Sequence, residues 1–380
     1  MLLTLTHAVR PRGARRFLED ALAAVDIRLD GGRPWDVRVH DERALRRILF
    51  DGSLGLGESY VEGWWDCAEL DGFFTRLLRG RLDERRWLPR DWLIEVASRL
   101  INRQKPSRVR QVARRHYDLD PALYRAMLGD ERIYSCGYWR QAATLEQAQA
   151  AKIDLVCRKL GLQPGMRVLD IGCGWGAAAR HAAMAYGVEV VGITISHVQA
   201  LVARERCRGL AVEIHEQDYR EVQGRFDRIF SIGMFEHVGQ RNYRTYMATA
   251  RRCLRDDGLF LLHTIGANHS CASIDAWLDR YIFPNAVIPS ARWLTAAAEG
   301  LFVIEDWHGF GCDYDRTLME WHRRLEDSWS RLEAPYGEEA RRLWRYYLLS
   351  CAGSFRARKN HLWQLVLSPQ GVPGGYVAVR

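Results

Sequence analysis

The segment Arg167-Val168-Leu169-Asp170-Ile171-Gly172-Cys173-Gly174-Trp175-Gly176 constrains the fold more than any other part of the chain. A short apolar run rich in β-branched residues ends in three glycines at alternate positions, and a stretch suited to helix continues to about Tyr186. Glycine is required where the backbone turns sharply, or where it must approach a ligand with no Cβ in the way. The segment therefore reads as strand, tight turn and helix. Further apolar runs at 188–193, 212–215, 228–232 and 259–263 are separated by segments of helical length. Repeated units of this kind predict an α/β fold, a mostly parallel sheet with helices on both faces.

The 380-residue chain is long enough for two units, each with its own core. Residues 1–100 lack the strand-helix rhythm. Helical spacing at Phe73, Phe74, Leu77 and Leu78, then Trp92, Leu93, Val96 and Leu100, predicts a smaller, mainly helical N-terminal domain. Within it, Gly52-Ser53-Leu54-Gly55-Leu56-Gly57 predicts a loop. Residues 101–115, rich in Arg and Gln and broken by Pro106, read as a basic linker or helix, leaving 116–380 as the larger domain. At 268–300 the aromatics Trp277, Tyr281, Phe283 and Trp293 suggest an insertion over the carboxyl end of the sheet, a lid that shapes a substrate pocket.

Charge and cysteine usage narrow the class further. Of a net +8, six charges belong to residues 1–115, which hold 23 Lys and Arg against 17 Asp and Glu. An Arg-rich surface suits phosphate, in lipid headgroups or in nucleic acid, although a solvated face has the same composition. Nucleic-acid methylation would need a polar base-flipping pocket, and no motif for one is present. Nine cysteines without a CxxC pair suggest reduced thiols in a cytoplasm, and neither a secretion signal nor a membrane span is expected. No metal is expected, because the Cys and His residues are not paired at ligand spacing and the adjacent Glu236 and His237 should diverge.

The GxGxG loop, following Val-Leu-Asp-Ile and opening a helix, resembles the first motif of class I methyltransferases, which bind S-adenosylmethionine. That cofactor carries a sulfonium and no pyrophosphate, so Asp170 can organise the loop near its amino-acid end. The rival nicotinamide reading needs an acid about twenty residues on. The second strand ends instead in Gly192-Ile193-Thr194-Ile195-Ser196, where Thr194 or Gln199 can supply the polar contacts. Many methyltransferases also place an acid there, so this is a departure from the general class. After the third strand, Asp218 and Tyr219 suit an adenine amino group and ring.

Longer strings carry a closer resemblance. They include Gly55-Leu56-Gly57-Glu58-Ser59-Tyr60, His116-Tyr117-Asp118, Tyr134-Ser135-Cys136-Gly137-Tyr138-Trp139, Gly233-Met234-Phe235-Glu236-His237-Val238-Gly239, Leu261-Leu262-His263-Thr264-Ile265-Gly266 and Phe310-Gly311-Cys312-Asp313-Tyr314. In this order and spacing the chain, from about residue 40 to its end, resembles bacterial cyclopropane-fatty-acyl-phospholipid synthases.

The resemblance implies a Rossmann-like class I methyltransferase fold with a seven-stranded sheet. It also implies transfer of a methylene group from S-adenosylmethionine to a cis double bond of a phospholipid acyl chain. A bound bicarbonate ion would be the base, held by Cys136, Glu236, His263, the Ile265 backbone and Tyr314. Glu236 acting directly as base is the alternative, and Cys136 reads as a wall of the anion site rather than a nucleophile. Cofactor contacts carry over to Tyr134, Ser135, Gly172, Gly174, Thr194, Gln199 and Asp218, with Tyr219 beside them. The expected partner is a bilayer of anionic, unsaturated phospholipid, met peripherally at the inner face of the membrane through Arg103, Arg108, Arg110 and Arg114; a homodimer is expected. A methyl-branched product and a small-amine methyltransferase are the competing readings.

Overall fold

The structure, a computed structural model, describes residues 11–84 and 121–380. The four arginines expected at the membrane, and His116-Tyr117-Asp118, lie outside the described residues. Two compact units emerge, and they do not follow chain order. The described residues of one are 11–84, 275–284 and 318–359; those of the other are 121–274, 285–317 and 360–380.

In the smaller unit the helix Pro11–Ala23 buries Ala14, Leu18, Ala21 and Leu22, the spacing of one helix face. Strand β1 (Arg38–Val39) pairs antiparallel with β2 (Trp65–Asp66). The loop expected at 52–57 is not there. The helix Arg43–Val61 runs through it, kinked only at Gly52, whose φ of 57° lies in the left-handed region. The other two glycines serve close packing rather than turning. A Cβ on Gly55 would lie 2.2 Å from the Arg47 carbonyl oxygen, and one on Gly57 2.3 Å from Cδ1 of Trp277.

Residues 268–300 are likewise divided. The helix Ala276–Tyr281 belongs to the smaller unit, and its Trp277 is fully buried with its ring centroid 4.5 Å from that of Tyr346. Trp293 packs 6.3 Å from Tyr243 in the larger unit. The long helix Cys312–Arg356, interrupted at Gly337 (φ 72°), supplies Trp321, Leu325 and Trp329 to the smaller unit's core.

The larger unit is the expected sheet. Its strands are β3 (Arg167–Ile171), β4 (Glu189–Thr194), β5 (Val212–Glu216), β6 (Phe226–Ile232), β7 (Leu254–Ala267), β8 (Val303–Gly309) and β9 (Asn360–Ser368). The spatial order is β5-β4-β3-β6-β7-β9-β8. The pairs from β5 to β7 are parallel, and β9 enters antiparallel between β7 and β8. Alternate residues feed two cores: Leu169, Ile229, Phe260 and Leu365 on one face, and Val168, Val190, Phe230 and Leu261 on the other. Burial of both faces explains the continuous apolar runs. The chain reverses direction across the sheet between β3 and β6, which opens a crevice beyond their carboxyl ends.

Candidate active site

The glycines after β3 shape that crevice. Gly172, Gly174 and Gly176 have φ of 87°, 53° and 82°, a conformation that side chains disfavour. The turn is anchored by the Gly172 and Cys173 N–H groups, which donate to the Ile193 carbonyl at the end of β4 (3.0 and 2.9 Å). A Cβ on Gly172 would meet Met234 at 2.8 Å, so the loop packs directly on the chain leaving β6.

One cleft is lined by all nine residues assigned to the cofactor: Tyr134, Ser135, Asp170, Gly172, Gly174, Thr194, Gln199, Asp218 and Tyr219. They follow the sheet order, with Asp218 and Tyr219 after β5, Thr194 at β4, and Asp170 with the glycines at β3. Thr194 Oγ1 donates to Gln199 Oε1 (2.9 Å), and Ser196 caps the following helix His197–Arg206 by accepting the Gln199 N–H. Asp218 accepts the Arg220 N–H and pairs with its guanidinium, both at 2.9 Å, which closes a short turn. The Arg220 guanidinium lies 4.8 Å over the Tyr219 ring. Asp170 is buried, its Oδ2 has no partner among the described residues, and burial raises its pKa against the opposing pull of Lys152.

Lys152, Trp175, Arg220 and His237 also line the cleft and were not assigned to the cofactor from the sequence. The first sits in an alanine-rich helix where a lysine normally signals a solvated face. His237 lines the cleft, whereas its neighbour Glu236 accepts the Ile265 N–H on Oε1 (2.7 Å). The backbone group expected to meet an anion is thus donated to Glu236.

Of the five residues assigned to catalysis, His263 and Ile265 lie on β7 and Glu236 follows β6. Cys136 shares one apolar cluster with Phe310 and Leu362, against which Ile265 and Tyr314 pack. His263, two residues before Ile265 on β7, meets Phe310 edge-on at 5.8 Å. Cys136 follows Ser135 in the chain, so the cluster and the cleft are neighbours. Burial drives the Cys136 thiol well above its ordinary pKa and the His263 imidazole well below, leaving both neutral. Glu236 is pushed up to about 7, chiefly by burial and despite the Ile265 N–H. Glu236 Oε2 and His263 Nε2 are both buried and have no hydrogen-bond partner among the described residues. A buried polar atom left in this state suits a polar occupant that can complete its hydrogen bonding.

Comparison with known proteins places this geometry. A family model described as mycolic acid cyclopropane synthetase matches residues 104–365. The chain is 48% identical over 368 residues to cyclopropane-fatty-acyl-phospholipid synthase of Escherichia coli K12, covering 96% of each. It is 38% identical over 263 residues to cyclopropane mycolic acid synthase 1 of Mycobacterium tuberculosis, covering 63% of this chain and 91% of that one. Among solved structures, the cyclopropane synthase MmaA2 from Mycobacterium tuberculosis superposes with TM-score 0.64 at 33% identity, over 68% of this chain and 97% of that chain. Identity of this extent, maintained from end to end against the Escherichia coli protein, is more than a likeness of fold: the chain belongs to the cyclopropane synthase family of S-adenosylmethionine-dependent methyltransferases.

Proposed function

We propose that the enzyme transfers a methylene group to cis-unsaturated acyl chains of membrane phospholipids and closes a cyclopropane ring, with bound bicarbonate as general base. The single observation that carries the base is that Glu236 Oε2 and His263 Nε2 are each buried without a hydrogen-bond partner among the described residues. S-adenosylmethionine supplies the electrophilic methyl group when bound, and bicarbonate supplies the oxygen that accepts a proton from it.

The chain's own residues do the rest. An alkene is a weak nucleophile and its methylated cation reacts with water, so the double bond must be held in line and kept dry. Cys136, Phe310 and Leu362 form an apolar wall suited to that task. With a pKa near 7, Glu236 can share a proton with an anion instead of repelling it. His263, neutral, offers an N–H, and in this reading Tyr314 offers a hydroxyl. Cys136 remains a thiol, which suits a wall and not a nucleophile.

The pKa near 7 also favours a second reading, Glu236 as the direct base. Turnover of the wild type in carbonate-free buffer separates the two. Activity lost there and restored by added bicarbonate supports the ion; activity unchanged supports Glu236. The enzyme is further proposed to act as a homodimer, peripherally, at the cytoplasmic face of an anionic membrane. No helix among the described residues is long and apolar enough to cross a membrane. Sedimentation with anionic vesicles at low salt, abolished at high salt, tests the attachment.

A further inference from the structure

Thr317 lies near the start of the helix Cys312–Arg356 and is fully buried. Its hydroxyl donates to the Asp313 carbonyl one turn back (2.8 Å), and accepts the Gly137 N–H (3.1 Å) and the indole N–H of Trp139 (2.9 Å). A hydroxyl offers one proton and two lone pairs, so all three are used. The bond to Asp313 fixes the Thr317 rotamer and leaves both lone pairs for residues 137–139. A second stitch lies beside it, where the Trp139 N–H donates to Asp313 Oδ2 at 2.8 Å. The other side of this segment is closed. Tyr138 donates its N–H to the Ala148 carbonyl (2.8 Å), and a Cβ on Gly137 would lie 2.8 Å from Cβ of Ala148.

Two of the residues assigned to the anion site sit on the segments joined in this way. Cys136 precedes Gly137, with Sγ 3.8 Å from the Thr317 oxygen, and Tyr314 lies one turn before Thr317 on the same helix. Both belong to the cluster around Phe310 and Leu362. Apolar contact is non-directional, whereas hydrogen bonds fix distance and angle, so the Thr317 hydroxyl is what sets one segment against the other. A valine would fill the same volume and strand two buried donors.

We propose that Thr317 is a positioning residue of the anion site, its hydroxyl setting the spacing of Cys136 and Tyr314 around the base. The assignment rests on bicarbonate as that base. Cofactor binding does not pass through Thr317, which is not among the residues lining the cleft. Ser135, the cleft residue next to Cys136, is held separately from the helix Leu145–Lys159, its hydroxyl by Lys152 (2.8 Å) and its carbonyl by Gln149 (2.7 Å).

Initial rates against added bicarbonate, in buffer first freed of carbonate, test this beside calorimetric titration with S-adenosylhomocysteine. In Thr317→Val the bicarbonate concentration giving half-maximal rate is expected to rise on the order of ten- to a hundredfold, while S-adenosylhomocysteine affinity changes by less than about twofold. Thr317→Ser keeps the hydroxyl and should recover most of the loss. A lower kcat with unchanged half-saturation marks a merely structural role and overturns the assignment. Equal defects in the two variants, or a matching loss of S-adenosylhomocysteine affinity, overturn it as well. Should Thr317→Val not fold, Trp139→Phe removes the indole bond alone of the three: half-saturation should then rise roughly threefold or more, and an unchanged value overturns the proposal. Wild-type rates independent of bicarbonate would instead overturn the base itself, and the proposal with it.

Discussion

Gln364 and His263 face each other across the antiparallel β7–β9 ladder, with the amide Nε2 3.2 Å from the imidazole Nδ1. Both are buried. An amide N–H donated to Nδ1 leaves the proton of a neutral imidazole on Nε2, the atom without a partner among the described residues. Gln364 therefore sets which face of His263 is a donor. Gln364→Leu is expected to lower kcat about ten- to a hundredfold, the equivalent of one buried hydrogen bond, while S-adenosylhomocysteine affinity stays within about twofold. Steady-state kinetics beside calorimetry check the split; a loss of affinity as large as the loss of kcat would contradict it.

Glu236→Gln should act on stability as well as on rate. The carboxyl is raised in the fold from 4.5 to about 7, so between those values the folded state holds a proton that the unfolded state has released. Wild-type stability accordingly falls as pH rises through that window. The amide does not titrate. The unfolding free energy of the variant relative to wild type should therefore become more favourable from pH 5 to pH 8, by on the order of 3 kcal/mol. Chemical denaturation at the two pH values measures it, and an unchanged difference would show that Glu236 is not buried as described.

Gly57→Ala is expected to destabilise the smaller unit by about 1–3 kcal/mol, because the new methyl would sit 2.3 Å from Cδ1 of the fully buried Trp277. Restoring stability by combining it with a smaller residue at 277 would localise the clash. An unaltered urea midpoint would refute the packing.

Asp306 accepts from buried Lys159 at 3.1 Å and is held by both guanidinium ends of Arg380 at 2.7 Å. Asp306→Asn strands a buried ammonium and should cost about 3–5 kcal/mol. Arg380→Ala removes a partly exposed partner while Lys159 stays paired, so its cost should be about 1 kcal/mol or less. Urea titration of both variants checks the order, and equal losses would contradict it.

The glycine turn after β3 was legible because its chemistry admits one residue type, and the strands around it because burial on both faces gives unbroken apolar runs. Gly55 and Gly57 were misread for the same reason inverted. A glycine that admits a neighbour's ring has the same letter as one that turns the chain, and the neighbour, Trp277, is 220 residues away. Lys152 was invisible because nothing local separates a buried lysine from a solvated one. Gln364 gains meaning only through β9, which returns to pair with β7 after the long helix Cys312–Arg356. The resemblance named Glu236 and Ile265, but only the fold shows that the Ile265 N–H is donated to Glu236.

The central claim is tested most directly by incubating the purified enzyme with vesicles of cis-unsaturated phospholipid and S-adenosylmethionine bearing a trideuterated methyl group, then analysing the fatty acids by mass spectrometry. The account predicts a ring-containing acyl chain that has lost its double bond and retains two of the three deuteriums, the third having gone to the base. Alkenes recovered intact, with the cofactor still able to bind, would contradict it.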